Sequence, residues 1–189
     1  MIEHTESPIA AALDRLSLIA MLAVLAAILS AAMVMQYASG EIPCPLCLLQ
    51  RVAMFGCCFG LIWQLSDGRS ERGAGMAMIF AVLLLVISVR QTLLDICPRP
   101  GHDYVGSAVL GLHLPVWSVV IAAALLLGFA LRLTVFGGSL RPPPAAQPAI
   151  DGIARLLRFY VVAILAINLV SVLLQCGFGE CHTFSYRFL

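Results

Sequence analysis

Residues 16–38 read LSLIAMLAVLAAILSAAMVMQYA and contain no charged side chain. The hydrocarbon core of a bilayer is about 30 Å thick, and a helix needs about 20 apolar residues to cross it. This stretch therefore predicts a membrane-spanning helix. A cleaved signal peptide fits less well, because the apolar run is too long and the preceding segment, MIEHTESP, is acidic.

The composition of the whole chain agrees with a lipid environment. Of its 189 residues, 61% are apolar and 11% are charged, and the mean hydropathy is +1.00. Soluble domains carry about one quarter charged residues, so this chain cannot cover its surface with polar groups. A net charge of +1 gives no reason to expect nucleic-acid binding. We predict an all-α integral membrane protein.

Four further apolar stretches are long enough, or nearly so, to cross: residues 48–65, 74–89, 116–131 and 159–174. Helices are preferred there because each satisfies its own backbone hydrogen bonds. The chain is thus a single membrane domain. It divides into a four-helix core over residues 1–136, a Pro/Gly-rich cytoplasmic linker over 137–156, and a fifth transmembrane helix with a periplasmic tail over 157–189.

The arginines predict the orientation. Five crossings place seven of them on the side of the N-terminus and four on the other side: Arg15, Arg69, Arg72, Arg132, Arg141, Arg155 and Arg158 against Arg51, Arg90, Arg99 and Arg187. Arginine-rich short loops stay in the cytoplasm, so the N-terminus is predicted to be cytoplasmic. Five of the seven cysteines, at positions 44, 47, 97, 176 and 181, then face the outside, where disulfides persist in bacteria.

The motif C-P-L-C at residues 44–47 begins the second apolar stretch. Pro43 and Pro45 favour a helix start here, which places Cys44 near the N-cap and Cys47 in the first turn. Free backbone N–H groups and the helix dipole stabilise a thiolate there, as in redox-active C-x-x-C pairs. A static disulfide and half of a metal site are the alternatives.

Arg51 follows Cys47 by four residues and lies on the same face of the helix. A cation this close to the membrane core is costly. We expect it to stabilise the Cys47 thiolate or a ligand oxygen, and a guanidinium that reaches back to the interface is the alternative. Deeper in the same helix, Gly56 and Gly60 form a G-x-x-x-G packing face, and Cys57 and Cys58 between them are expected to be core residues.

The last apolar stretch ends in QCGFGECHTF, where Gly177 and Gly179 permit a tight turn between Cys176 and Cys181. A second thiol pair on the same side suggests dithiol–disulfide exchange, and a structural clamp is the alternative. Cys97 either pairs transiently with a partner or is an idle thiol. The segment 103–117, which includes Trp117, is expected to lie along the outer membrane interface.

The stretch CPLCLLQRVAMFG, residues 44–56, resembles the DsbB family of membrane disulfide-forming proteins. The similarity covers the first four helices and is strongest over residues 43–60. It implies an inner-membrane bundle that takes electrons from a soluble thioredoxin-fold oxidase, DsbA, and passes them to a quinone, either ubiquinone or menaquinone. By position, Cys47 would touch the quinone and Arg51 would lie beside its ring.

The chain also departs from that family. DsbB proteins carry a second cysteine pair between helices three and four, where this chain has Cys97 alone, and they have four crossings rather than five. The segments YVGSAVLGLHLPVW and CGFGEC are similar to a divergent branch, in which the C-terminal pair replaces the loop pair. The fifth helix also brings the vitamin K epoxide reductase relatives into consideration.

The resemblance and the residues together predict a thiol oxidase with Cys44, Cys47, Cys176 and Cys181 as its catalytic residues. A periplasmic dithiol would reduce the Cys176–Cys181 pair, which would reduce Cys44–Cys47. The rivals are a reductase working in the opposite direction, which would need a cytoplasmic cysteine, and a non-catalytic membrane subunit that holds a metal ion with the same four cysteines.

Overall fold

The computed structural model describes residues 8–40, 42–66, 71–97, 108–136 and 148–177. Within these ranges there are five helices and one short β-hairpin: α1 (Pro8–Ala38), α2 (Pro45–Ser66), α3 (Glu71–Ile96), β1 (Ala108–Val109), β2 (Leu112–His113), α4 (Leu114–Phe136) and α5 (Pro148–Cys176). All five helices are long and apolar enough to cross a membrane. The predicted all-α bundle with a fifth span is confirmed.

All five helices are longer than the apolar stretches that predicted them, and the extensions of α3 and α5 concern the site and the linker. α3 continues to Ile96, so that Gln91 lies within it. α5 begins at Pro148, with Asp151 in its first turn. Proline suits the first helical position, and an acidic residue there complements the helix dipole. Residues 148–156, assigned to the linker from sequence, are therefore helical, and residues 137–147 lie outside the described part of the chain.

α2 is the central helix and packs against α1, α3 and α5. Its closest approach is to α3. A Cβ atom on Gly60 would lie 2.6 Å from the backbone oxygen of Gly73 and 2.6 Å from the nitrogen of Ala77. The predicted packing face is thus confirmed, and Cys57 and Cys58 are fully buried free thiols.

α5 lies against α1 through polar contacts at several levels, which we call the α1–α5 seam. Its pairs are Arg15 with Asp151, the hydroxyl of Ser30 with that of Tyr160 at 2.8 Å, and the hydroxyl of Tyr37 with that of Ser171. Residue numbers rise together along both helices, so α1 and α5 are parallel. Apolar surface gives little drive for association in lipid, so these polar contacts tie the fifth helix to the bundle.

The hairpin precedes α4. Leu110 and Gly111 both have positive φ, 52° and 79°, as a type I′ turn requires. Trp117 in the first turn of α4 donates its indole N–H to the carbonyl of Val109 at 2.9 Å, which fixes the hairpin to the helix. Leu110 at the tip is 87% exposed. Residues 103–107 of the predicted interfacial segment lie outside the described ranges, and its location at the membrane surface stays a prediction.

Candidate active site

Cys44 caps the start of α2. Its carbonyl accepts the first backbone hydrogen bond of the helix, from Leu48 at 3.0 Å, and its Sγ accepts the backbone N–H of Cys47 at 3.1 Å. Cys44 and Cys47 form a disulfide with their Cα atoms 5.0 Å apart. Cys44 is buried and Cys47 is half-buried. The disulfide therefore lies over the positive end of the α2 dipole, where a negative sulfur is stabilised on reduction.

An amide from α3 also reaches both sulfur atoms. The Nε2 group of Gln91 lies 3.4 Å from the Sγ of Cys44 and 3.4 Å from the Sγ of Cys47. Its Oε1 accepts a hydrogen bond from Nε2 of Gln50 at 3.0 Å, and both glutamines are buried. Neither glutamine is among the site residues predicted from the sequence. Gln50 lies within the apolar stretch 48–65, and Gln91 lies just beyond the stretch 74–89. An uncharged polar residue at such a position was the signal available in the sequence.

Arg51 is 8% exposed and lies inside the bundle. Its Nη1 donates to Oε1 of Gln36 at 2.6 Å and to Oδ1 of Asn168 at 3.2 Å, and its Nη2 donates to the carbonyl of Ala32 at 3.1 Å. These acceptors belong to α1 and α5. The guanidinium is therefore held among the side chains and backbone of the neighbouring helices. Its role towards a thiolate or a ligand oxygen stays a prediction.

The end of α5 lies against the segment that precedes Cys44. Gln175 is fully buried and donates its Nε2 to the carbonyl of Pro43 at 2.8 Å. Gly177, with φ 60°, donates its N–H to the carbonyl of Leu173 at 2.9 Å, so the predicted glycine turn ends the helix. Each of the two bonded residues, Pro43 and Gln175, is thus followed directly by a cysteine.

Cys176 is 4% exposed and disulfide-bonded. Its predicted partner, Cys181, lies outside the described residues, as does Gly179. Cys97 is an exposed free thiol just beyond α3. Within the described ranges, no group of three or more His, Cys, Asp or Glu side chains is placed to hold a metal ion.

A second polar cluster lies at the opposite end of the bundle from the disulfide, and we call it the Asp14 cluster. Arg132 Nε donates to Asp14 Oδ1 at 2.7 Å, and Arg132 Nη1 donates to Gln64 Oε1 at 2.6 Å. All three side chains are buried. Arg132 was counted from sequence among the arginines of the cytoplasmic side. It lies within α4 rather than in a loop, and it binds a carboxylate from α1.

These features define a class of protein: a helical membrane protein with a C-x-x-C disulfide at the N-terminus of a central helix and a further disulfide-bonded cysteine, Cys176, next to a residue that binds the segment before Cys44. The model of the family "Disulfide bond formation protein DsbB" matches residues 14–132. The chain belongs to the DsbB family. The matched region covers α1 to α4, so α5 and Cys176 lie beyond it.

Two curated relatives, both called disulfide bond formation protein B, agree with this assignment. The protein of Chromohalobacter salexigens is 35% identical over 107 residues, which are 50% of this chain and 59% of the relative. The protein of Cupriavidus metallidurans is 27% identical over 136 residues, 57% of this chain and 84% of the relative. The chain therefore spans less than two thirds of the first of these relatives. No solved structure matches it significantly.

Proposed function

We propose that this protein is a quinone-dependent thiol oxidase of the bacterial inner membrane, which reoxidises a periplasmic dithiol oxidase of the DsbA type. The observation that carries the proposal is the contact between the segments that precede two disulfide-bonded cysteines. One is Cys44, which is bonded to Cys47 at the start of α2, and the other is Cys176, whose neighbour Gln175 binds the carbonyl of Pro43 at 2.8 Å. Once one disulfide has been reduced, its thiolate must reach the other disulfide for exchange to occur, and this contact supports such access.

The proposed reaction begins at the second disulfide. A thiolate of the reduced partner attacks the Cys176–Cys181 bond and forms a mixed disulfide with one of these cysteines. The second thiol of the partner then attacks the mixed disulfide, so that the partner leaves oxidised and Cys176 and Cys181 remain as thiols. The resulting thiols then open Cys44–Cys47 by the same chemistry. Each exchange breaks one S–S bond and forms another, so two electrons move from the partner to Cys44 and Cys47 at the start of α2.

The residues around Cys47 fit a quinone as the final acceptor. When bound, a quinone supplies an acceptor for two electrons and two protons. Such a ligand is apolar apart from its ring oxygens, which gain negative charge on reduction. Arg51 offers a buried guanidinium one turn from Cys47, oriented by neutral oxygens of Gln36 and Asn168. A preorganised cation at the point of charge development is an effective form of electrostatic stabilisation.

Quinone reduction in vesicles tests the proposal. The purified protein is reconstituted with ubiquinone or with menaquinone, a reduced DsbA-type oxidase is added, and quinol formation is followed by ultraviolet absorbance. Cys44→Ser and Cys47→Ser are expected to abolish turnover, whether the electron donor is the reduced DsbA-type protein or dithiothreitol. Cys176→Ser and Cys181→Ser are expected to abolish turnover with the protein donor but to retain part of it with dithiothreitol, which can reach Cys44–Cys47 directly. Cys97→Ser is the matched control.

Two outcomes separate the parts of this proposal. Full activity of Cys47→Ser would remove the oxidase function. Loss of activity in the Cys47 variant but not in the Cys176 variant would leave the second disulfide as a structural clamp. The orientation is tested separately in intact cells, where a membrane-impermeant thiol reagent is expected to label Cys97 and, after reduction, Cys47 from the periplasm.

A further inference from the structure

Three polar side chains from three helices form a hydrogen-bonded chain that ends on the sulfur atoms. Ser118 of α4 donates its hydroxyl to Oε1 of Gln50 at 3.3 Å, Gln50 donates to Oε1 of Gln91 at 3.0 Å, and Gln91 Nε2 lies 3.4 Å from the Sγ atoms of Cys44 and Cys47. We call Ser118, Gln50 and Gln91 the amide relay. All three members are buried.

The relay has a direction. An amide has one donating end and one accepting end. Because Nε2 of Gln50 occupies the oxygen of Gln91, the N–H groups of Gln91 are turned towards the sulfurs. Ser118 donates its single proton to the carbonyl of Leu114 at 3.2 Å as well as to Gln50 Oε1, so its contribution to the orientation of Gln50 is the smaller one. Reversing one amide would reverse the other.

This direction matters because the charge on the sulfurs changes during exchange. In the oxidised state both sulfurs are weak, neutral acceptors. When an attacking thiolate opens the bond, its sulfur bonds to one cysteine and the S–S electron pair leaves on the other as a thiolate. Hydrogen bonds to an ionised acceptor are about twice as strong as those between neutral groups. The N–H groups of Gln91 therefore favour the reduced state over the oxidised one.

We propose that Gln91 is a catalytic residue of the exchange reaction, which stabilises the thiolate released from the Cys44–Cys47 disulfide, and that Gln50 and Ser118 are positioning residues that fix its orientation. The biological use of this device rests on the proposed function. Its effect on sulfur is a property of the protein alone and needs neither a quinone nor a partner.

The test measures the equilibrium between the full-length protein and dithiothreitol. The Cys44–Cys47 peptide is followed by alkylation and mass spectrometry. Replacing Gln91 by methionine keeps the shape of the side chain and removes its donors. We expect Gln91→Met to make the disulfide about tenfold harder to reduce, as loss of a hydrogen bond to a charged group predicts. The alkylation of the reduced C-x-x-C thiols at neutral pH is expected to slow for the same reason.

The Gln50→Glu variant tests the direction of the relay. A carboxylate at position 50 only accepts, so it draws Nε2 of Gln91 towards itself and turns Oε1 to the sulfurs. Reduction should again become at least tenfold harder. In the Gln91→Met background the same substitution should have little further effect. Ser118→Ala is expected to give a shift in the same direction of about twofold to threefold. Ser88→Ala is the matched control, because the hydroxyl of Ser88 is buried and has no hydrogen-bond partner among the described residues.

Each of these results bears on the proposal. An unchanged equilibrium in Gln91→Met, with an unchanged unfolding temperature, would overturn the role of Gln91. An equal effect of Gln50→Glu in both backgrounds would show that the new carboxylate acts on the sulfurs directly and would overturn the relay. Because no quinone is present, failure of the oxidase function in vesicles would leave these measurements intact.

Discussion

The guanidinium of Arg51 is surrounded by oxygens that come from two other helices. Gln36 and the carbonyl of Ala32 belong to α1, and Asn168 belongs to α5. A guanidinium presents donors in a fixed planar fork, whereas an ammonium is a compact point charge. The acceptors around Arg51 match the fork. The residue is therefore specified as arginine rather than simply as a cation.

The variant Arg51→Lys tests this specificity. It keeps the charge but cannot reach the acceptors on both helices. We expect the KM for quinone to rise about tenfold, equivalent to about 1.4 kcal/mol, while the equilibrium between Cys44–Cys47 and dithiothreitol changes less than twofold. The exposed Arg90 of α3 provides the control Arg90→Lys, which should change neither quantity. A normal KM in Arg51→Lys would mean that the guanidinium does not contact the quinone.

The residues of the site were unequally predictable. The location of Cys44 at the N-cap followed from Pro43 and Pro45, because helix starts are set by neighbours in sequence. Gln91 and Asn168 could not be assigned, because their partners are 41 and 117 residues away in the chain. Their polarity within apolar helices indicates a buried contact, but only the packing of the helices identifies which one.

At the level of the helices, α2 and α3 form the tightest pair. Gly60 and Gly73 bring the two backbones together, so any side chain at position 60 collides with backbone atoms rather than with a flexible side chain. Gln50 and Gln91 lie on this same pair of helices. The spacing between α2 and α3 therefore also sets the geometry of the amide relay.

Gly60→Leu is expected to separate α2 from α3. Because the clash is with backbone, we predict a fall in the thermal unfolding midpoint of more than about 5 °C in detergent, as overpacking of about 1–3 kcal/mol implies. Gly75→Leu is the matched control on α3, since a Cβ atom added to Gly75 would meet no other atom within 4 Å. Equal midpoints for the two variants would contradict the close approach.

The polar contact between α5 and the Cys44 segment makes a different prediction. Gln175→Met removes the hydrogen bond to Pro43 and keeps the volume of the side chain. We expect turnover driven by the protein donor to fall about fivefold, because loss of one hydrogen bond of about 1 kcal/mol loosens the contact between the disulfides. Turnover driven by dithiothreitol should be unchanged. An equal fall with both donors would mean that Gln175 stabilises the bundle as a whole.

The five spans were predictable from hydropathy alone, because lipid selects uninterrupted helices. The ends of the helices were not. α3 continues past Val89 through Arg90 and Gln91, and α5 begins in the proline-containing segment at Pro148. Hydropathy falls at such ends although the backbone remains helical, since polar residues there meet other side chains or the interface.

Across the whole molecule, the Asp14 cluster ties α1, α2 and α4 together at the end opposite the disulfide. Asp14 is 0% exposed and Arg132 is 9% exposed. The removal of one partner from a buried ion pair leaves the other charge without compensation. A second ion pair, Arg15–Asp151, joins α1 to α5 and is more exposed.

We therefore expect Asp14→Asn to destabilise the folded protein by about 3 kcal/mol, and Asp151→Asn by less than about 1 kcal/mol. Unfolding by denaturant in mixed micelles measures both. The double variant Asp14→Leu with Arg132→Leu should recover most of the loss, because it removes both charges together. Equal losses in the free energy of unfolding for Asp14→Asn and Asp151→Asn would show that burial of the Asp14–Arg132 pair does not increase its contribution to stability.

The parallel packing of α1 and α5 has a consequence for biosynthesis. α1 leaves the ribosome first, whereas α5 follows only after the other four helices have been made. Asn168, which orients Arg51, and Cys176 both arrive with that last helix. During translation the nascent protein thus holds the C-x-x-C motif without its complete surroundings, and the proposed oxidase activity should arise only after α5 has been inserted into the bilayer.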